Sequence, residues 1–254
     1  MKLKEFLSNP VGKGDATYNR RLLIAEYDSR YDKLIKAKGN QIKAILYHKV
    51  GTDEYYIHMV IPTETKRENS YDVVLQFIPS KDDNGSGKSL LNTHDVKFFC
   101  NAPSFAYSYA KVFDSNDMIV TSLKNKFPDE IFKNEPEVRN RFGIINYDKY
   151  LYFGSKYVLE SRLLNRETLA LRSLTYSDLV LNRRVRSLDK IMIEYKKAKA
   201  KLEKDLVQQA KDRLTSYVGD SKVKSTPGTV AKSVHNVVKK TGKRNPSSNK
   251  VKKI

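Results

Sequence analysis

The sequence predicts an α+β fold: an antiparallel sheet of about four strands packed with helices, then a long C-terminal helix and a basic tail. Three observations predict it. Between residues 41 and 101, four short runs rich in β-branched and aromatic residues are separated by Gly, Pro, Asn and Asp. From about Thr175 to Tyr217, apolar residues recur mostly every three or four positions. Beyond Ser221 the chain is lysine-rich and poor in large apolar residues. These features divide the chain into a core domain over 1–174, an amphipathic helix over 175–220 and a tail over 221–254.

Taken in order, a short basic amphipathic helix is expected near Asn19 to Lys38. The strand runs follow as "QIKAILYHKV" (41–50), "EYYIHMVIP" (54–62), "YDVVLQFIP" (71–79) and "DVKFFCN" (95–101). Val50-Gly51-Thr52-Asp53 is a hairpin turn between the first two, and helices are expected on one face of the sheet.

The long helix carries an apolar stripe at Leu181, Val185, Leu188, Met192, Tyr195, Leu202 and Leu206. Glu194, Glu203 and Asp205 alternate with Lys196, Lys197, Lys201 and Lys204 on its other side, which supports i, i+4 pairing. Such a helix would be roughly 60 Å long, more than a small domain can cover. The stripe is therefore predicted to meet other subunits, and the protein to be a homo-oligomer.

The tail concentrates charge. It carries Lys222, Lys224, Lys232, Lys239, Lys240, Lys243, Arg244, Lys250, Lys252 and Lys253 and no acid; taking these ten from the formal +19 of the chain leaves +9 for residues 1–220. With Pro227, Gly228, Gly242 and Pro246 among many Ser, Thr and Asn, it buries too little to offset its own ordering entropy. It is expected to be disordered unless a partner holds it. Nucleic acid and acidic protein both fit: lysines release counterions from phosphates, but a segment without Phe, Tyr or Trp has nothing to read bases with.

Composition sets the outer limits. In 254 residues, 39% hydrophobic content is enough for a core, and 48 basic against 29 acidic residues point to polyanionic neighbours. A single cysteine, Cys100, excludes an intrachain disulfide and any zinc site of four cysteines or two cysteines with two histidines from one chain. No apolar segment fits a secretory signal, and none reaches the ~18 residues of a membrane span. A soluble protein without cofactor, metal or membrane partner is expected, synthesised in the cytoplasm.

Motifs for chemistry are weak. Gly87-Lys88-Ser89 follows a glycine-containing turn, but a phosphate loop needs a further glycine where Asp82 stands, and the sequence returns to strand character within a few residues. The stretch is read as a hairpin connection. His48, His58, His94 and His235 lack helical metal-pair spacing; His48 and His58 could face each other across the first hairpin, more simply as ordinary sheet residues than as a metal bridge. Glu64, Glu68 and Asp72 lie near Lys66 and Arg67, yet no acid-x-lysine triplet of a metal-dependent nuclease follows Asp72. Ser104 lacks the glycines of a nucleophile elbow and is read as a turn or helix cap. No catalytic residue is assigned.

Four segments, "NPVGKG" (9–14), "IPTETKRENSYDVVLQF" (61–77), "FFCNAPSFAYSYAKVF" (98–113) and "EVRNRFGIINYDKYLYFGSKYVL" (137–159), resemble in that order a set of tailed-bacteriophage virion structural proteins. The likeness covers roughly residues 5–165 and leaves out the long helix and tail. It implies a non-enzymatic component of the head, portal, neck or capsid region, found in the virion beside other structural subunits and, through the tail, packaged DNA. The third and fourth segments also resemble a degenerate zinc-binding SWIM motif: Cys100 stands at the first ligand position, Ala102 at the second, and "GIINYDKYLYF" offers neither Cys nor His. The resemblance then implies that Phe98, Phe99, Phe105, Tyr107, Tyr109, Tyr147, Tyr150 and Phe153 pack where zinc would sit, with Cys100 a small buried residue at a strand end.

Overall fold

The computed structural model describes residues 1–8, 16–64, 69–81, 89–133, 148–176 and 178–220. The basic tail, Glu68 and the segment from Asp82 to Lys88 lie outside them, as do "NPVGKG" and Tyr147. The chain divides into two compact units, Met1–Leu202 and Glu203–Ile254.

Helices α1 (Leu3–Ser8) and α2 (Ala16–Lys38) precede three antiparallel strands, β1 (Lys43–His48), β2 (Tyr55–Pro62) and β3 (Ser70–Pro79). A single turn, α3 (Leu90–Thr93), leads into β4 (His94–Cys100). Helices α4 (Pro103–Ser108), α5 (Ala110–Ser115), α6 (Glu130–Lys133), α7 (Lys149–Glu160) and α8 (Arg166–Arg172) follow. The last elements are β5 (Leu174–Thr175), α9 (Asp178–Arg184) and α10 (Leu188–Asp220). The four expected strands form, in the order β4-β3-β2-β1-β5. Only β5 runs parallel to its neighbour, matching Tyr47 with Leu174 and His48 with Thr175, so the sheet is mixed.

The first hairpin turns where expected. Thr52 N–H donates to the Lys49 carbonyl at 3.2 Å, and Gly51 takes φ +79°, a conformation that costs glycine nothing.

Helices were expected on one face; both faces are covered. Tyr71 to Phe77 are all buried, which a sheet with one wet face would not allow. Strand alternation places Ile57, Met59, Val73, Leu75, Phe98 and Cys100 on one side. There Phe6 of α1 lies 4.2 Å from Phe98 and Tyr150 of α7 lies 4.6 Å from Tyr71, ring to ring. Gly154 brings α7 close: a Cβ there would come within 2.8 Å of Val73 and 3.0 Å of Met59. The other side carries Tyr56, His58, Asp72, Val74 and Phe99, where Tyr176 stacks on Tyr56 at 4.3 Å and Phe127 meets Phe99 at 5.0 Å.

The β4 edge is occupied, and the opposite edge is the two-residue β5, whose Leu174 and Thr175 are exposed. Along β4, Val96 N–H donates to Met1 O and Phe98 N–H to Met118 O, at 2.9 and 2.7 Å; along β1 lies β5.

The helix expected over 175–217 is not continuous. Leu174–Thr175 is strand, α9 ends at Arg184, and α10 begins at Leu188. Ser187 makes the break: its hydroxyl accepts from Lys190 N–H at 3.3 Å, and Asp189 sits in the first turn, favourable to the helix dipole. The first compact unit therefore includes residues 175–202.

Candidate functional site

A densely connected polar cluster sits between the sheet and the α9–α10 break. Asp72 of β3 is 1% exposed and His58 of β2 2%. His58 Nε2 lies 2.7 Å from Asp72 Oδ1, and Arg186 Nε and Asn101 Nδ2 each donate to Asp72 Oδ2 at 2.8 Å. Asp72 N–H donates to Asn101 Oδ1 at 2.8 Å. Arg186 also reaches the Ser70 carbonyl and hydroxyl at 3.0 Å and Glu194 Oε2 at 2.9 Å. Burial alone would push the Asp72 carboxyl up; the His58 hydrogen bond and Arg186 charge outweigh it and hold it below the usual carboxylate range.

Asp72 is thereby ionised and can only accept, so Nε2 of His58 carries the proton that faces it. The ring's other nitrogen is buried without a hydrogen-bond partner. A histidine–carboxylate pair is the start of an acid–base relay, but a general base must reach its substrate. This ring is enclosed between sheet and helix, and the cluster's chemistry is that of a clamp.

A second buried carboxylate joins the two segments of the SWIM-like resemblance. Asp148 caps α7, accepting from Tyr150 N–H at 2.9 Å, and also accepts from the Ser104 hydroxyl at the start of α4. Burial pushes its carboxyl up despite these bonds. Cys100 is a fully buried thiol at the end of β4, pushed well up by burial and by Asp148. Of the aromatics named by the resemblance, Phe98, Phe99, Phe105, Tyr150 and Phe153 are buried, Tyr109 is half-buried and Tyr107 is 40% exposed. Among the described residues, no three His, Cys, Asp or Glu side chains gather to hold a metal ion.

The remaining candidates resolve individually. His48 and His58 do not face each other: His48 pairs with Tyr55 and His58 with Ile45, on opposite faces. His48 stacks on Tyr55 at 4.7 Å, and buried His94 donates to the Asp53 carbonyl at 2.7 Å. Glu64 takes both Arg30 Nε and Nη2 at 2.8 Å and is also paired with Lys149. Ser89 caps the single turn α3 and β4 starts directly after it, so no phosphate-loop helix follows Gly87-Lys88-Ser89.

The predicted subunit stripe is split. Leu181, Val185 and Leu188 are 0%, 2% and 1% exposed, and Met192 packs against the same core, so these four are spent within the chain. Leu206, by contrast, is 56% exposed, while Tyr195 and Leu202 are half-buried. All ten predicted basic contacts of the tail lie outside the described residues.

Sequence reasoning passed over Arg186 and Asn101. The available signal was His58 and Asp72 themselves: ionisable residues inside strands whose neighbours are all apolar must find buried partners. Among the described residues, no helix is long and apolar enough to cross a membrane. No family model, no curated protein and no solved structure matches the chain.

Proposed function

We propose that this chain is a non-enzymatic structural or assembly component of a tailed-bacteriophage particle, of the head, portal, neck or capsid region, made in the host cytoplasm and incorporated into the virion. It docks on other virion subunits, itself in several copies, and its basic tail contacts packaged DNA or acidic protein. Charge segregation is the observation that carries the reading: ten cations and no acid occupy residues 221–254. The resemblance of the four segments points to virion proteins. The polar clusters support the same view, since Asp72, Glu64 and Asp148 are each engaged in tying one segment of the fold to another.

Mass spectrometry of purified, nuclease-treated particles tests it. The polypeptide is expected at a stoichiometry comparable to other minor structural proteins; its absence from intact particles overturns the assignment. A second reading, a free cytosolic protein binding nucleic acid without sequence preference, draws on the same tail. Recovery from infected-cell lysate on DNA, with none in particles, would select it.

A further inference from the structure

We propose that the β5 edge of the sheet is a docking site for an extended, acidic segment of a partner protein, which pairs with the backbone of Thr175 and places carboxylates on Arg172 and Arg184. It rests on the reading of this chain as a subunit that docks on other subunits, and gives one such contact a place in the fold.

The backbone supplies the template. β5 ends the strand order β4-β3-β2-β1-β5, with Leu174 opposite Tyr47 and Thr175 opposite His48. Tyr176 N–H donates to the His48 carbonyl at 2.7 Å. Successive residues of a strand turn their amide and carbonyl to alternate sides, so with Tyr176 facing β1 the N–H and C=O of Thr175 face outward. Thr175 is exposed, and among the described residues neither group has a partner. An outward pair of this kind is what an added strand bonds to. The β4 edge is closed, since Met1 and Met118 take the N–H groups of Val96 and Phe98.

The flanking side chains are apolar or arginine. Leu174 is 47% exposed, and Leu171, at the end of α8, is 86% exposed. Arg172 is exposed two residues before Leu174. Arg184 of α9 is exposed too, and its guanidinium lies 6.0 Å from the ring centre of Tyr47, the residue opposite Leu174, so a second cation stands at the same stretch of edge. Among the described residues Arg172 and Arg184 make no ion pair, whereas Arg30 and Arg186 each hold two carboxylates. Glu167, the acid of α8, is five residues and about 140° around the helix from Arg172. Asp178, the acid of α9, is at the opposite end of that helix from Arg184.

Charge selects an acidic occupant, and shape selects a peptide. Between Arg162 and Arg186 all six cations are arginine, whose planar fork takes both oxygens of a carboxylate. Nucleic acid offers phosphates to the same fork, but no extended amide backbone for Thr175, and it would leave two exposed leucines against a charged surface. A two-residue strand makes few bonds, so the arginines and leucines supply much of the affinity.

The test measures binding of the full chain to fluorescein-labelled peptides of four Val-Glu or four Thr-Asp repeats, with wild type, T175P, R172Q/R184Q and K33Q/K36Q. Proline at this position removes only an outward N–H, because the bond to His48 comes from Tyr176, so the melting temperature is expected to hold. Wild type is expected to bind at least one peptide saturably. T175P and R172Q/R184Q should each weaken it roughly tenfold or more. K33Q/K36Q, which removes equal charge from exposed lysines of α2, should change it less than about twofold. Peptides N-methylated throughout should not bind wild type, a readout that stands even if T175P fails to fold. Binding that survives N-methylation overturns the proposal, as do equal losses in the two charge variants or failure of both peptides to bind. A 30-base-pair duplex held through Arg172 and Arg184 without peptide binding would overturn it in favour of nucleic acid; dimers that T175P dissolves, again without peptide binding, would overturn it in favour of a second copy. Presence in particles enters none of these readouts, so the edge and the virion assignment fail separately.

Discussion

Arg186 and Asp72 are 114 residues apart in sequence and 2.8 Å apart in space, Nε to Oδ2, across the junction between the sheet and the start of α10. The chain there has just left α9 and has only Val185, Arg186 and Ser187 before α10 begins.

Removing Arg186 leaves a buried carboxylate supported only by His58 and Asn101. Arg186→Met is expected to cost about 3–5 kcal/mol, the usual penalty for breaking a buried pair from one side. Asp72→Asn in the same chain should recover part of it, since the orphaned charge is then gone. Urea denaturation of the single and double variants measures both quantities. A single-variant loss under about 1 kcal/mol would mean the pair is screened in a way its burial does not suggest.

Asp148 has the opposite linkage to Asp72. The folded Asp72 carboxyl lies below its unfolded value, so its contribution is present at neutral pH and is lost as pH falls through the acid range below about 4. Asp148 is raised, so the folded state binds its proton more tightly than the unfolded one, and stability falls as pH rises through that folded value. Asp148→Asn keeps an acceptor for Tyr150 N–H and cannot ionise. Its melting temperature should match wild type in acid and exceed it increasingly at higher pH; a variant less stable than wild type at pH 8 would refute this.

The sheet was legible because its strands are bounded by punctuating residues and filled with β-branched and aromatic side chains. Val73, Val74, Leu75 and Phe77 announce a strand, and their apolar run, interrupted only by Gln76, also holds the signal that both faces are covered. The helix break was harder to see. Leu181, Val185, Leu188 and Met192 keep helical spacing straight through it, so periodicity alone carries the helix across a break that Ser187 and Asp189 mark chemically. Asn101 and Arg186 were invisible for another reason: their roles exist only once β3, β4 and the α9–α10 junction meet. The charge of the tail was plain in composition, and its ligand is the part left to experiment.

Deleting residues 221–254 removes ten cations and, on our reading, none of the core. The unfolding midpoint in urea should be unchanged, while elution from a DNA column should move to lower salt. Retention should not vanish, because residues 1–220 keep a formal charge of +9. Complete loss of binding would assign all of the electrostatic attraction to the tail.

Gly154 decides how closely α7 can lie on the sheet. In an exposed helix, replacing glycine with alanine gains about 1 kcal/mol through propensity. Here the added Cβ would stand 2.8 Å from Val73 Cγ1, 3.0 Å from Met59 Cε and 3.3 Å from Val73 Cβ. Met59 can swing its terminal methyl aside, but Val73 is held in a central strand, so the overlap must be relieved by moving α7. The Tyr71–Tyr150 contact and the Asp148 cap are on the same helix end and would move with it. Overpacking is therefore expected to outweigh propensity, and Gly154→Ala should lose about 1–3 kcal/mol. Val73→Ala opens the space that the new methyl needs, so the double variant should be more stable than the sum of the two losses. A cycle of urea melts on the four proteins measures the coupling; strict additivity, or a stabilising single variant, would show that α7 has room the packing denies.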